Sequence, residues 1–314
     1  MATAHLYLFS DACPTDWLVD GEDDTWHTIV NFAFQSDPQL FSDIEGGLPH
    51  EEVLKRDPLY EGFVTQMRSS SLPSMQLRKW DTSISHRNRF CKSFTAILRN
   101  YKPLVAALSF QQKTLQKSKL ALFNSYNSHI GEIEGQGIGF EEYFDSKSRL
   151  RLKHSFLNFH GHHEIEGLER QMVILLLMAF FVADQFRFYY QDLVKSGRYG
   201  FDKLLLTVVS DRLSGDGDDR FRRKSEQNLR HLIDPDGDGA FVRLTRSNQI
   251  DVFSGDLIAD NLAGWLNAAI RDPTGCFAEY VRQAAPSGVW TGWHTLRPSV
   301  EKLESISAMQ LLRG

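Results

Sequence analysis

Cysteine is scarce in this sequence, and its three copies lie far apart. They are Cys13, Cys91 and Cys276, and no two of them form a CxxC pair. Disulfide-framework proteins carry an even, closely spaced set of cysteines, and cysteine-rich zinc sites carry paired ligands. The pattern argues against both classes, and we expect a protein of the reducing cytoplasm.

Long hydrophobic runs are absent as well. The most apolar stretch, Met172–Ala183, has twelve residues and ends at Asp184. A membrane-spanning helix needs about 20 apolar residues, so this stretch predicts a buried helix instead. Near the N-terminus, Asp11 comes before the apolar core of a signal peptide could form. We therefore expect a soluble, cytoplasmic chain without a membrane partner.

The chain also lacks an excess of positive charge. It has 35 Lys and Arg against 40 Asp and Glu, for a net charge of −5. A nucleic-acid partner would have to be held by local basic patches rather than by the overall charge. The sequence contains no P-loop, GxGxxG or GxSxG motif, which disfavours ATPase, Rossmann and serine-hydrolase functions.

What is present is a globular composition with alternating strand and helix patterns. The 314 residues are 42% hydrophobic and 24% charged, which suffices for a large core. Apolar runs predict strands at His5–Ser10, Thr25–Gln35, Leu104–Phe110, Phe201–Ser210 and Phe241–Ser247. Helical spacing predicts helices at Arg87–Tyr101, Leu168–Val194, Arg220–Ile233 and Asp256–Ile270. This order predicts an α/β protein with a mixed sheet flanked by helices, opened by an antiparallel hairpin with a long connection.

One domain explains the distribution of these elements better than two. The strongest strands are spread over residues 1–275, which we interpret as a single domain. A polar, partly helical segment at about 36–86 is broken by four prolines and predicts an insertion, which could receive a protein partner. Residues 276–314 are expected to form a peripheral tail.

Carboxylates lie at the predicted ends of several elements. Asp11 follows the first strand, Asp211 follows the strongest strand, Glu164 opens the long helix, and Asp256 and Asp260 lie four residues apart on the last helix. Such groups can converge above a sheet, where hard oxygen ligands favour Mg²⁺ or Mn²⁺. Helix capping or solvation is the alternative for each. It is weakest for Asp260, which interrupts an otherwise apolar stretch.

Several motifs together resemble a known family. Residues 258–264, IADNLAG, resemble the ADLIAG helix of domain-of-unknown-function family 3800, which has an RNase H-like fold. Residues 159–164, FHGHHE, resemble its HGSEL segment, and 206–212, LTVVSDR, resemble its VVVDE segment; Ser247 matches its serine-bearing strand. The opening 7–13, YLFSDAC, is similar to the family's YIDESG but keeps only the aspartate.

The resemblance implies an RNase H-like acidic site. It makes Asp11, Glu164, Asp211 and Asp260 ligands of Mg²⁺ or Mn²⁺ for attack of water on a phosphodiester. Asp256 is a weaker candidate that could cap the helix instead. His160 matches the family's histidine and would polarise water or contact a phosphate, whereas His162 and His163 have a polar loop as their alternative.

Two further features carry alternatives. Arg220, Arg222 and Arg223, with Lys224 and Arg230, would hold phosphates near the site, or else form a solvated helix face. Residues 234–239, DPDGDG, match half of an EF-hand loop, but Thr245 stands where a bidentate Glu is needed. A tight turn into a strand is the favoured interpretation there.

Two functional hypotheses follow. The first is a divalent-metal phosphodiesterase or nuclease acting on a nucleic acid of undetermined type. The second is a binding or regulatory module with a degenerate RNase H-like site, such as one in a bacterial or phage conflict system (phage defence), motivated by the altered residues after Asp11.

Overall fold

The computed structural model describes about two fifths of the chain. The described residues are 3–13, 24–33, 62, 65, 79–80, 83–98, 103–111, 113–114, 190–198, 200–209, 226, 230, 234, 239–245, 255–297 and 304–312.

The described strands form one mixed sheet. They are β1 (Thr3–Cys13), β2 (Trp26–Ala33), β3 (Leu104–Gln111), β4 (Lys203–Val209), β5 (Ala240–Thr245), β6 (Gly292–Arg297) and β7 (Glu304–Ser307). Their order in space is β5-β4-β1-β2-β3-β6-β7. Strands β1, β2 and β3 are antiparallel neighbours, whereas β1, β4 and β5 run parallel. At the other edge β6 is parallel to β3 and antiparallel to β7. The predicted α/β class is confirmed.

All five predicted strands are present within a few residues of the expected bounds. The expected antiparallel hairpin is the pair β1–β2. Strand β4 was expected to be covered on both faces, and its residues Leu204, Leu206, Thr207, Val208 and Val209 are each at most 1% exposed. A continuous apolar run thus marks an interior parallel strand.

Three α-helices are described: α1 (Ile84–Ile97), α2 (Gly255–Arg271) and α3 (Cys276–Ala284). Helix α1 begins three residues before the predicted Arg87, because the Ser83 hydroxyl accepts a hydrogen bond from the His86 N–H and caps its first turn. Helix α2 matches its predicted bounds to within one residue at each end. None of the described helices is long and apolar enough to cross a bilayer.

The core on one face of the sheet is built from α2 and a cluster of aromatic side chains. Trp265 of α2 lies edge-on to Trp290, with ring centroids 5.2 Å apart, and edge-on to Phe94 of α1 at 5.9 Å. The indole N–H of Trp265 donates to the Phe277 carbonyl, and that of Trp290 to the Val281 carbonyl. Both tryptophans therefore contribute apolar area without leaving a polar atom unpaired.

The described residues of the C-terminal segment 276–314 do not form the peripheral tail that the sequence predicted. Helix α3 packs on α2, β6 and β7 extend the sheet, and Trp290 and Trp293 are at most 2% exposed. This packing is hard to predict from the sequence, because strands of four to six residues carry a weak periodic signal.

Three predicted elements lie outside the described residues for most of their length: the insertion at about 36–86, the helix Leu168–Val194 and the helix Arg220–Ile233. Within them, Tyr190, Glu226 and Arg230 are helical, and Gln191–Lys195 forms a π-helical turn.

Candidate functional site

Asp11 lies inside β1 rather than at its end. The antiparallel pairing with β2 continues past it, through Ala12 opposite Ile29 and Cys13 opposite Thr28. The Asp11 side chain is 6% exposed, and its Oδ1 accepts a hydrogen bond from the Ala12 N–H at 2.7 Å. Because a buried carboxylate is costly, this residue differs from a solvated turn aspartate.

Asp11 belongs to the face of the sheet that α2 covers. Alternate residues of a strand point to the same face, so Asp11 shares its face with Phe9 and Cys13. Phe9 is fully buried in the α2 core, and Cys13 packs against the same cluster. The carboxylate therefore lies between β1 and α2.

Strand β4 runs parallel to β1 and beside it. The register pairs Phe9 with Val209, the last described residue of β4. In the sequence Asp11 follows Phe9 by two residues, and Asp211 follows Val209 by two. Asp211 itself lies outside the described residues.

Asp260 lies on the second turn of α2, as predicted, and is partly exposed. The sequence around it is rich in Ala and Leu, and Ile258, Ala259, Leu262 and Leu266 are fully buried. Asp260 lies on the flank of the helix beside this apolar stripe. Its Oδ2 accepts a hydrogen bond from the Trp80 backbone N–H at 2.7 Å.

Two contacts fix how α2 lies along β1. At the start of the helix, Gly255 lies against the Phe9 ring. Twelve residues later, the Asn267 side-chain NH₂ donates to the Cys13 carbonyl at 3.3 Å and to the Trp26 carbonyl at 2.8 Å. With a helical rise of about 1.5 Å per residue and a strand rise of about 3.3 Å, Asp260 and Asp11 both fall between these contacts. The two carboxylates thus lie on facing elements and at a similar level along them.

Asp256, one turn before Asp260 on the same flank of α2, stands in the first turn of the helix beside Gly255. A carboxylate there interacts favourably with the helix dipole. The capping role that the sequence suggested is therefore compatible with its position.

A second set of contacts surrounds the Asp260 hydrogen bond. The Trp80 ring lies directly over Gly264, where a Cβ atom would overlap the indole, and 5.2 Å from the Phe277 ring. Arg87 Nε donates to the Trp80 carbonyl at 2.7 Å, and its guanidinium lies 5.2 Å from the indole centroid. Trp80 is consequently 5% exposed although it precedes the first turn of α1.

The other residues of the predicted acidic site lie outside the described part of the chain. They are Glu164, Asp211 and His160, together with His162, His163 and the phosphate-contact candidates Arg220, Arg222 and Arg223. Among the described residues, no group of three or more His, Cys, Asp or Glu side chains is arranged to hold a metal ion. Two of the four predicted ligands can be described, so the Mg²⁺ or Mn²⁺ site stays a prediction.

Comparison of the chain with protein-family models, with curated proteins and with solved structures finds no match.

Of the segment 234–239, for which the sequence favoured a turn over a calcium loop, Asp234 and Gly239 are described. Asp234 is 1% exposed, and its Oδ2 accepts hydrogen bonds from the N–H groups of Gly239 and Ala240. Burial alone would raise the pKa of Asp234, but these two bonds and that of the Tyr190 side chain outweigh it and lower the pKa. Strand β5 begins directly at Ala240. The strand that was predicted to follow is confirmed, whereas residues 235–238 lie outside the described residues and the tight turn stays a prediction.

Of the basic helix, Arg230 can be placed. Its guanidinium lies 4.8 Å from the Phe241 ring centroid, and Lys203 Nζ lies 5.5 Å from the same centroid. Both are near the start of β4 and β5, at the opposite end of these strands from Val209. This position does not support Arg230 as a phosphate contact beside Asp11.

Sequence reasoning missed three residues that shape the site. Asn267 carried the same signal as Asp260, since it is a polar residue on an apolar helix seven positions later. Gly264 stood in the IADNLAG motif without an assigned reason. No local sequence pattern singled out Trp80, because its contact with α2 joins residues 180 positions apart.

Proposed function

We propose that this chain has an RNase H-like fold and hydrolyses nucleic-acid phosphodiesters with Mg²⁺ or Mn²⁺. Asp11, Glu164, Asp211 and Asp260 are its proposed ligands. His160 is proposed to act on water or a phosphate, and Arg220, Arg222 and Arg223 to contact phosphates.

The sheet supports the fold part of this proposal. Five of its strands follow the order β3-β2-β1-β4-β5, with an antiparallel β1–β2–β3 meander and parallel β1, β4 and β5. This strand order and direction support the proposed RNase H-like fold. Strands β6 and β7 are an addition at the β3 edge.

The observation that carries the functional part is the meeting of three elements at Phe9. Phe9 pairs with Val209 of β4 and contacts Gly255 of α2. Asp11 is two residues past Phe9, Asp211 is two past Val209, and Asp260 is five past Gly255. Three of the four proposed ligands are therefore within five positions, along the sequence, of the residues that meet at Phe9.

The donor chemistry of the described residues fits a hard divalent cation. Asp11 is almost fully buried and faces the helix that bears Asp260. Asp11 and Asp260 would be the described ligands of such a cation, whose charge would offset the repulsion between neighbouring carboxylates. When bound, Mg²⁺ or Mn²⁺ activates water and offsets the charge that develops on the phosphate. The chain's own contribution is to fix the two carboxylates: Asp11 by its strand and the Ala12 N–H, Asp260 by α2 and the Trp80 N–H.

The degenerate-module alternative keeps one observation in its favour. Ala12 and Cys13, which replace the Glu and Ser of the family motif, continue β1 and contribute no hard oxygen side chain. A module of this kind would keep the fold but bind no divalent cation strongly.

Cleavage assays on matched variants test the proposal. The full chain would be incubated with end-labelled single-stranded DNA, RNA and RNA–DNA hybrid in Mg²⁺ or Mn²⁺. We expect metal-dependent cleavage that falls by at least about 100-fold in Asp11→Asn and in Asp260→Asn. Asp272→Asn, an exposed carboxylate just after α2, is the control and should retain wild-type activity.

Two other outcomes would count against the proposal. Wild-type cleavage by both variants would overturn the assignment of the site. No cleavage by the wild type, together with no Mn²⁺ binding above the millimolar background, would favour the degenerate module. A protein partner at 36–86 and a cytoplasmic location remain predictions.

A further inference from the structure

We infer that Trp80 and Arg87, which lie outside α2, are positioning residues for the Asp260 carboxylate. By fixing that carboxylate they set the affinity of the metal site for its divalent cation. The inference rests on the proposed function, because it treats Asp260 as a metal ligand.

The Trp80 backbone N–H fixes one oxygen of Asp260. A hydrogen bond of 2.7 Å to a charged acceptor is short and strong, and it restricts the carboxylate to one orientation. Asp260 lies on the flank of α2, where an aspartate side chain would otherwise sample several rotamers. A ligand whose orientation is fixed in advance binds a cation without losing that freedom.

Three contacts hold the N–H in place. The Trp80 ring is seated on Gly264, one turn after Asp260, where any Cβ would collide with it. The ring also meets Phe277 of α3. Arg87, on the first turn of α1, donates Nε to the Trp80 carbonyl and stacks its guanidinium on the indole. The backbone of Trp80 therefore accepts a hydrogen bond from Arg87 at its carbonyl oxygen and donates one to Asp260 from its N–H.

The arrangement exceeds what burial of a tryptophan requires. Phe277 and the surface of α2 already cover the indole, yet both backbone polar groups of Trp80 are bonded to charged side chains. Outer-shell partners of this kind typically change metal affinity by about 10–100-fold when they are removed. The same arrangement explains the glycine at position 264, because a larger residue would displace the Trp80 indole and, with it, the Trp80 N–H.

The test measures Mn²⁺ binding to the full-length protein by electron paramagnetic resonance of the free ion. Arg87→Met removes the donor to the Trp80 carbonyl and the stacked cation. Gly264→Ala displaces the indole. We expect each to weaken Mn²⁺ affinity by about 10-fold or more while circular dichroism shows a folded chain. Arg87→Lys, which keeps a cationic donor, should recover part of the affinity, and Arg271→Met at the exposed end of α2 should leave it unchanged.

Asp260→Asn separates failure of this inference from failure of the proposed function. If Asp260→Asn binds Mn²⁺ like the wild type, Asp260 is not a ligand and both ideas fall. If Asp260→Asn weakens binding but folded Arg87→Met and Gly264→Ala bind as the wild type does, the site stands and the positioning role is overturned. A lower melting temperature in these two variants with unchanged Mn²⁺ affinity would also overturn the positioning role. Trp80 and Arg87 would then contribute to stability alone.

Discussion

The ring of Phe9 lies so close to Gly255 that a Cβ atom at position 255 would come within 2.5 Å of it. The absence of a side chain lets the first turn of α2 rest directly on β1, beside the β1–β4 boundary. This contact sets the level at which α2 lies along β1.

Gly255→Ala should destabilise the protein by about 1–3 kcal/mol, because the added methyl group overpacks a fully buried contact. Urea denaturation measures the change in the free energy of unfolding. Phe9→Leu also removes core contacts, but together with Gly255→Ala it should cost less than the sum of the two single losses, because the shorter side chain leaves room for the added methyl group. Additive losses would contradict the contact as the cause.

Asn267→Ala should cost about 1–3 kcal/mol. Asn267 is 3% exposed, and its NH₂ serves the carbonyls of Cys13 and Trp26, which would be left without this donor in a buried place. The free energy of unfolding checks this, with the exposed Gln283→Ala of α3 as a control expected within about 0.5 kcal/mol of the wild type. A similar effect of both substitutions would argue against a buried polar anchor.

Trp290→Ala should cost about 3–5 kcal/mol, as for other large buried aromatic residues. Trp290 lies in the segment that the sequence assigned to a peripheral tail, yet its ring meets Trp265 and Trp293. Thermal unfolding followed by circular dichroism measures the effect. Leu311→Ala, on a residue 40% exposed in the same segment, should change little; a small effect of Trp290→Ala would restore the tail interpretation.

Asp234 should make stability depend on acid pH. Its pKa in the folded chain lies below the ordinary value of 3.8, so folding favours the anion. The stability that it contributes is fully present above about pH 5 and is lost as the pH falls below 3.8 through the folded pKa. Asp234→Asn keeps an acceptor but cannot titrate, and its free energy of unfolding should therefore fall less between pH 7 and pH 3. Parallel losses in the two proteins would assign the acid sensitivity to other groups.

Divalent cations should raise the melting temperature if the acidic site binds them. At a free Mn²⁺ concentration of 100 times the dissociation constant, the native state gains about 2.7 kcal/mol. The wild type should show this shift, whereas Asp11→Asn should show a much smaller one. An equal shift in both proteins would place the bound cation elsewhere, and Ca²⁺ in place of Mn²⁺ would reveal binding of any divalent ion.

Local sequence patterns predicted correctly those elements whose residue pattern lies within one short stretch of the chain. The continuous apolar run of β4 predicted a strand buried on both faces, and the spacing in α2 predicted its bounds, because side-chain periodicity reflects burial directly. Asp260 could be singled out for the same reason, as a charge within an apolar helix. The sequence pattern predicted an end of β1 before Asp11, because aspartate is typical of turns. Pairing with β2 in fact continues the strand to Cys13.

The amino-acid sequence by itself determined the α/β class, the five strands that build the sheet from β5 to β3, and the carboxylates that deserve testing. Each of these depends on residues close together along the chain. The tertiary structure decided that β4 lies beside β1, that Gly255 rests on Phe9, that Trp80 reaches Asp260 and that the C-terminal tryptophans complete the core. These contacts join residues far apart in sequence, where packing and shape rather than periodicity choose the partner, and no local pattern encodes that choice.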